Sequence, residues 1–306
     1  MFKQKSNKTL GIVLVILGLL VLYLYVGNGG RKERTFNKNI VSIDTSAVTV
    51  MYVYPKSYKG KEIKLFKDNG SWKVQLKNGK TATVPASKME TFFRTLANIK
   101  AKRLVAKTKE KWKKYEVGEN ATRVKLMEGN SEVLNIVLGK FSFSQPREIN
   151  SYVRLSDNPD VYVVEGFLEG TFNHDVNYFR NNKILSEDYQ KIKSVKFEYP
   201  KESFTLSRFG KNWTIGNSKA DSAETVKYIR SIARLTSNAF VDSVNDFSAT
   251  KIVTIELDDS TVCRITAAKI DSSWIINSSE NPESYFDGAK DDLYKKIFIS
   301  QKKLLK

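Results

Sequence analysis

The residues that could do chemistry are few, and their scarcity limits the reactions open to this chain. His174 is the one histidine and Cys263 the one cysteine among 306 residues. A HExxH helix, an imidazole-built binuclear centre and a histidine cluster for zinc are therefore out of reach. A Cys263–His174 nucleophile pair would have to be assembled from distant parts of the chain, and nothing places the two together. Cys263 sits instead in an alternating strand pattern beside Ile265, where a thiol serves as a small hydrophobe. Gly-x-x-x-x-Gly-Lys-Ser/Thr, Gly-x-Gly-x-x-Gly and Gly-x-Ser-x-Gly do not occur, so phosphate cradles and nucleophile elbows lack their signatures. Asp258-Asp259 has no alternating ligands for calcium and reads as a hairpin corner. Two carboxylates could meet from distant strands for glycoside chemistry, but no local pattern proposes a pair. The expectation is a chain that is not an enzyme, with no catalytic, cofactor-binding or metal-binding residue.

Binding is better signposted. The formal net charge is +18, and all of it lies before Ile215, because Ile215 to Lys306 holds thirteen basic and thirteen acidic residues. The densest basic run is Lys100, Lys102, Arg103, Lys107, Lys109, Lys111, Lys113 and Lys114, opposed only by Glu110. An anionic membrane surface or an anionic envelope polymer would be drawn to it. Trp112 lies inside the run and could insert at a lipid interface or stack on a partner. The plainer reading is a solvated lysine face. Trp72 and Trp213 occupy matched positions beside hairpin turns, which suits indoles filling a corner under a helix better than ligand platforms.

The element expected to position these surfaces is the uncharged run Leu10 to Val26. As a helix it approaches the ~30 Å hydrocarbon core, and flanking Thr9 and Gly27 complete the crossing. The reading is a short basic head over 1–9, a transmembrane helix over 10–27 and a basic linker over 28–39. A cleaved signal peptide shares the basic start at Lys3, Lys5 and Lys8, but no Ala-x-Ala site follows. A buried helix would need a polar face. Gly11 and Gly18, seven apart, could admit a neighbouring helix. A short basic head before one large domain implies a signal-anchor in the inner membrane, single-pass, with the bulk extracytoplasmic. Nucleic acid is then not an expected partner.

The rest of the chain reads as α+β. Strand alternation at Val48 to Tyr54, a hairpin at Lys67-Asp68-Asn69-Gly70 and a helix from Ser87 carrying Met89, Phe92, Phe93, Leu96 and Ile99 on one face form one unit. Ser87 and Glu90 suggest a capping box. Phe204-Thr205-Leu206 and Trp213 repeat the spacing of Ile63-Lys64-Leu65 and Trp72. A second helix follows Asp221, Trp274 to Asn277 stands where Tyr152 to Arg154 stood, and Ser284-Tyr285-Phe286 echoes Asn177-Tyr178-Phe179. The expected fold is an N-terminal transmembrane helix followed by two repeated antiparallel-sheet-plus-helix units, 40–190 and 191–306. Leu185 to Lys193 is the expected helical junction, and a polar helix over Lys290 to Ile297 the expected close.

Taken together, Leu65 to Trp72, the helix from Ser87, Tyr115-Glu116-Val117, Leu138-Gly139-Lys140 and Tyr152-Val153-Arg154 resemble the membrane-anchored bacterial family of domain of unknown function 4340, over roughly residues 60–240. That resemblance implies a single-span envelope protein, often in Bacteroidetes-like bacteria, in an ABC-type exporter or gliding-type setting, and it carries no catalytic residues. The functional expectation is a non-catalytic, membrane-anchored accessory or scaffold protein of an envelope complex, with the lipid bilayer and an exporter-like integral-membrane protein as partners. The alternative is an envelope module binding an anionic polysaccharide, peptidoglycan or lipid.

Overall fold

The structure is a computed structural model describing residues 11–19, 36–144, 148–244 and 246–305. Residues 11–19 are helical and exposed. Nine residues rise roughly 14 Å, under half of a hydrocarbon core. Among the described residues no helix is long and apolar enough to cross a membrane. This overturns the expected transmembrane helix over 10–27, and with it the single-pass signal-anchor, the inner-membrane localisation and that part of the fold class. Among the described residues the helical part of the apolar run is 11–19, too short for the crossing its hydrophobicity suggested. Residues 1–10 and 20–35, which hold the expected head, the rest of the expected span and much of the linker, lie outside the described residues. At Gly11 and Gly18 an added Cβ would meet nothing within 4 Å.

The first large sheet has nine strands: β1 (Val50–Tyr54), β2 (Ile63–Asp68), β3 (Ser71–Gln75), β4 (Thr81–Thr83), β5 (Ala101–Ala106), β6 (Thr122–Glu128), β7 (Ser131–Ser144), β8 (Glu148–Leu155) and β9 (Val161–Glu165). Their order is β4-β3-β2-β1-β6-β7-β8-β9-β5, every pairing antiparallel. The first hairpin turns at Asn69 and Gly70, both at positive φ, as the Asn-Gly pair requires. Alternation then sends Met51, Val53, Ile63, Leu65, Val124 and Leu126 to one face, beneath helix α1 (Ala86–Ala97) and its Met89, Phe92, Phe93 and Leu96.

After β10 (Lys183–Ser186) comes the second large sheet: β11 (Ile192–Glu198), β12 (Ser203–Phe209), β13 (Asn212–Ile215), β14 (Ser218–Lys219), then, beyond helix α2 (Ser222–Ala233) and β15 (Arg234–Thr236), β16 (Lys251–Leu257), β17 (Val262–Ile270), β18 (Ser273–Ser278) and β19 (Asn281–Asp287). Its order is β14-β13-β12-β11-β16-β17-β18-β19, the path of the first sheet repeated strand for strand. β5 closes the far edge of the first sheet on β9. In the second, β15 leaves to pair with β10, and Ala239 and Val241 bond the backbone of β19 instead.

Details of the expected repeat change. Ser284-Tyr285-Phe286 lies in β19, the counterpart of β9, whereas Asn177-Tyr178-Phe179 forms a helical turn beyond the sheet. Three-residue likeness misaligned them, because pairing order and not local sequence defines equivalence. Leu185 to Lys193 is strand and 3-10 turn, with Leu185 fully buried, and not a helix. The closing segment is a 3-10 turn (Lys290–Asp292) and helix α3 (Leu293–Ile297), whose Leu293 and Ile297 are buried in the second core. The Ser87 capping box does not form: α1 starts after Pro85, no side chain caps it, and Ser87 lies inside the first turn. Asp221 does cap α2, its Oδ1 accepting from the amides of Ala223 and Glu224 at 2.9 and 3.0 Å.

The two sheets meet at a polar joint. Arg180, almost fully buried, bonds Asp242 through Nη1 and Nη2 at 3.2 and 2.9 Å and lies over the Phe240 ring. Glu283 accepts from the Thr83 amide and pairs with Lys73 at 3.3 Å, while Asn281 Nδ2 donates to the Asn181 carbonyl at 2.7 Å.

Candidate anion-binding face

The face of the first sheet opposite α1 carries the features that sequence alone could not assemble. Residues paired in register across antiparallel strands point to the same side, so cations and aromatics from β1, β2, β6 and β8 meet there. Lys125 Nζ lies 4.7 Å from the Tyr52 ring and Arg123 Cζ lies 4.2 Å from that of Tyr54. Tyr54 donates its hydroxyl to Glu62 at 2.7 Å. Burial, helped by that carboxylate, pushes the Tyr54 phenol up to about 12, so it stays a neutral donor.

A small apolar cluster, Ala106, Tyr115, Val117, Ala121, Val137 and Val161, seats the segment after β5 on this face. The approach depends on Gly139 in β7, where a Cβ would collide with the Tyr115 carbonyl and the Val117 side chain. The seated segment delivers two partners to Arg154. Val117 O accepts from Arg154 Nε at 2.8 Å, and the Trp112 ring lies 3.7 Å from Arg154 Cζ. Trp112 is fixed in turn by Nε1 donating to the Pro159 carbonyl at 3.0 Å. Burial, with the nearby Arg123 charge, lowers the Arg154 pKa, yet a guanidinium starts so high that it stays charged.

The basic run is less concentrated than its sequence suggests. All eight cations are exposed, and Trp112 is half-buried. Lys102 on the edge strand is neutralised by Glu148 and Glu165 at 3.0 and 3.2 Å, and Lys109 is near Glu119 at 3.7 Å. Lys109, Trp112 and Lys113 line a shallow cleft of about 470 Å³, which Lys100, Lys102, Arg103, Lys107, Lys111 and Lys114 do not line. Sequence reading named Trp112 and Arg154 as surface residues to locate, but missed Arg123. The signal that could have found them is strand register. An exposed aromatic cluster also went unread: Phe141 lies 5.5 Å from Phe143 and 4.7 Å from Phe167.

Cys263 is buried, as expected of a small hydrophobe, but two carboxylates face it. The ligand atoms of Glu187, Cys263 and Glu280 lie within 4.8 Å of one another, a donor set that could hold a divalent cation. Burial and these acids push the thiol up to about 12, which leaves it protonated and poorly nucleophilic. His174 stacks on Tyr178 at 3.7 Å, bonded to the Gly170 carbonyl at 2.7 Å, in the other unit. Trp213 is buried, and Trp72 packs 5.5 Å from Phe93 under α1.

A family model described as Domain of unknown function (DUF4340) matches residues 72–260, more than half of the chain. The chain belongs to the DUF4340 family. Neither the curated proteins nor the solved structures contain a match to it. Family membership does not carry the membrane-anchored character that the resemblance implied for this DUF4340 chain. The expected lipid-bilayer and integral-membrane partners, and an anchored accessory function, rested on the span over 10–27. They fall with it, because no helix among the described residues is long and apolar enough to cross.

Proposed function

We propose that this DUF4340 chain is a non-catalytic accessory module that binds anionic groups of a partner molecule on the open face of its first sheet. The observation that carries the reading is the interleaving of Lys125 with Tyr52 and of Arg123 with Tyr54 on one partly exposed surface, with the buried Arg154 beside Trp112 at its margin. Cations held against aromatic rings are pre-ordered, so less side-chain entropy is lost on binding. The charge distribution agrees, since the excess positive charge lies before Ile215.

The test is retention of the full chain on immobilised dextran sulfate, with neutral dextran as control. Retention is expected to fall steeply as salt rises, because exposed charges are screened over about 10 Å at 0.1 M. Lys125→Gln with Lys113→Gln is expected to elute at lower salt, whereas Lys302→Gln with Lys303→Gln in the second unit is expected to leave elution unchanged. Equal elution of both pairs, or equal retention on neutral dextran, would sink the reading.

A further inference from the structure

One place on the open face gathers two guanidiniums that form no ion pair among the described residues. Tyr54, Arg123, Val137 and Arg154 are successive partners across β1, β6, β7 and β8. Strand spacings of about 4.8 Å set the two arginines roughly 10 Å apart, with the short Val137 between them as the floor of a trough. All four residues line one cleft of about 270 Å³. Arg154 is 5% exposed, and its Nε and Nη1 are taken by the carbonyls of Val117, Leu155 and Ser156. Nη2 has no such partner among the described residues. Neither arginine forms an ion pair among those residues; Glu119, the acid lining the cleft, acts on Arg154 from a distance and lies 3.7 Å from Lys109.

The repeat supplies an internal control. The equivalent row in the second sheet is Glu198, Ile252, Thr266 and Asn277. That row builds the same strands without a cation, so the fold itself does not require arginine at either place. The second cleft, which Trp112 helps to line, shares Gly118, Glu119 and Ala121 with the first. A ligand can therefore have its charge between the arginines and its body along the indole.

We infer that Arg123 and Arg154 form a subsite for the phosphate of a phosphate monoester, with the esterified group lying against Trp112. This deepens the anion-binding reading and rests on it. Two unpaired guanidiniums match a dianion, the form a phosphate monoester takes above its second pKa near 6. A sulfate monoester or a carboxylate is only a monoanion.

The probe is phenyl phosphate, titrated into the full chain at pH 8 and followed by calorimetry and tryptophan fluorescence. Saturable binding is expected, with phenyl sulfate weaker. Arg123→Gln, which removes only a contact with the Tyr54 ring, is expected to keep the melting profile and weaken binding about tenfold or more, as loss of one charge-assisted pair implies. Trp112→Phe is expected to abolish the fluorescence response while calorimetry still detects binding. Arg154→Lys is informative only if its circular dichroism melt matches the parent; Arg123→Gln carries the test otherwise. Absence of saturable heat, unchanged affinity in Arg123→Gln, or equal binding of phenyl sulfate would overturn the subsite. Dextran sulfate retention surviving such a failure leaves the broader reading standing. Phenyl phosphate binding without retention would confine the anion-binding reading to this subsite and remove polyanion binding by the rest of the face.

Discussion

Gly139 shows how one missing side chain positions a site. Its lack of a Cβ lets the backbone at Tyr115 and the Val117 side chain rest on β7, which puts the Val117 carbonyl where Arg154 Nε can donate to it. Gly139→Ala forces either that segment or the strand to move. An overpacking cost of about 1–3 kcal/mol is expected, read as a lower urea midpoint. The same change should weaken phenyl phosphate binding, because Arg154 loses its carbonyl anchor. A stable variant with unaltered affinity would show that the segment's seating is incidental. The motif Leu138-Gly139-Lys140 was visible as text, but its reason was not, since the colliding atoms come from more than twenty residues upstream.

Helix capping separates what local sequence can and cannot reveal. Asp221 was readable as a cap and acts as one, whereas Ser87 looked equally good and is one residue inside its helix. The difference is Pro85, whose fixed φ suits the entry to a helix and starts α1 earlier. Asp221→Ala is expected to cost about 1 kcal/mol in chemical denaturation, whereas Ser87→Ala, at an exposed position inside the first turn, is expected to be neutral or slightly stabilising because Ala is the better helix former. Equal costs would mean that Ser87 caps the helix in solution. Elements with a strong period, such as the apolar faces of α1 and α2 and the Asn69-Gly70 hairpin, were legible for the same local reason. The cleft was not, because Arg123 and Arg154 become neighbours only through the pairing of β6, β7 and β8, whose register no window of sequence contains. The apolar run before residue 27 misled in the opposite direction, since among the described residues no helix is long and apolar enough to cross a membrane.

At the scale of the molecule, the joint between the sheets holds a partly buried carboxylate whose titration bears on stability at acid pH. Burial alone would raise the Glu283 carboxyl, but hydrogen bonds from Thr83 and the Lys73 charge outweigh it and hold the group below the usual carboxylate range. A depressed carboxylate contributes stability that is present above its unfolded pKa and lost as pH falls through the folded one. Melting followed from pH 7 to pH 3 should show the parent losing stability faster than Glu283→Gln at the acid end, with the variant less stable at pH 7. Parallel profiles would mean that the joint does not depend on this carboxylate.

The doubled strand order has a cost during synthesis that its symmetry conceals. Two stretches built to the same pairing plan invite a strand of one to seat in the other, giving an exchanged, misassembled chain. Both edges of the first sheet are formed before residue 166, so that sheet can close before its rival strands leave the ribosome. The dissimilar rows Tyr54-Arg123-Val137-Arg154 and Glu198-Ile252-Thr266-Asn277 add a second safeguard, because a swapped strand would bring mismatched partners to its neighbours.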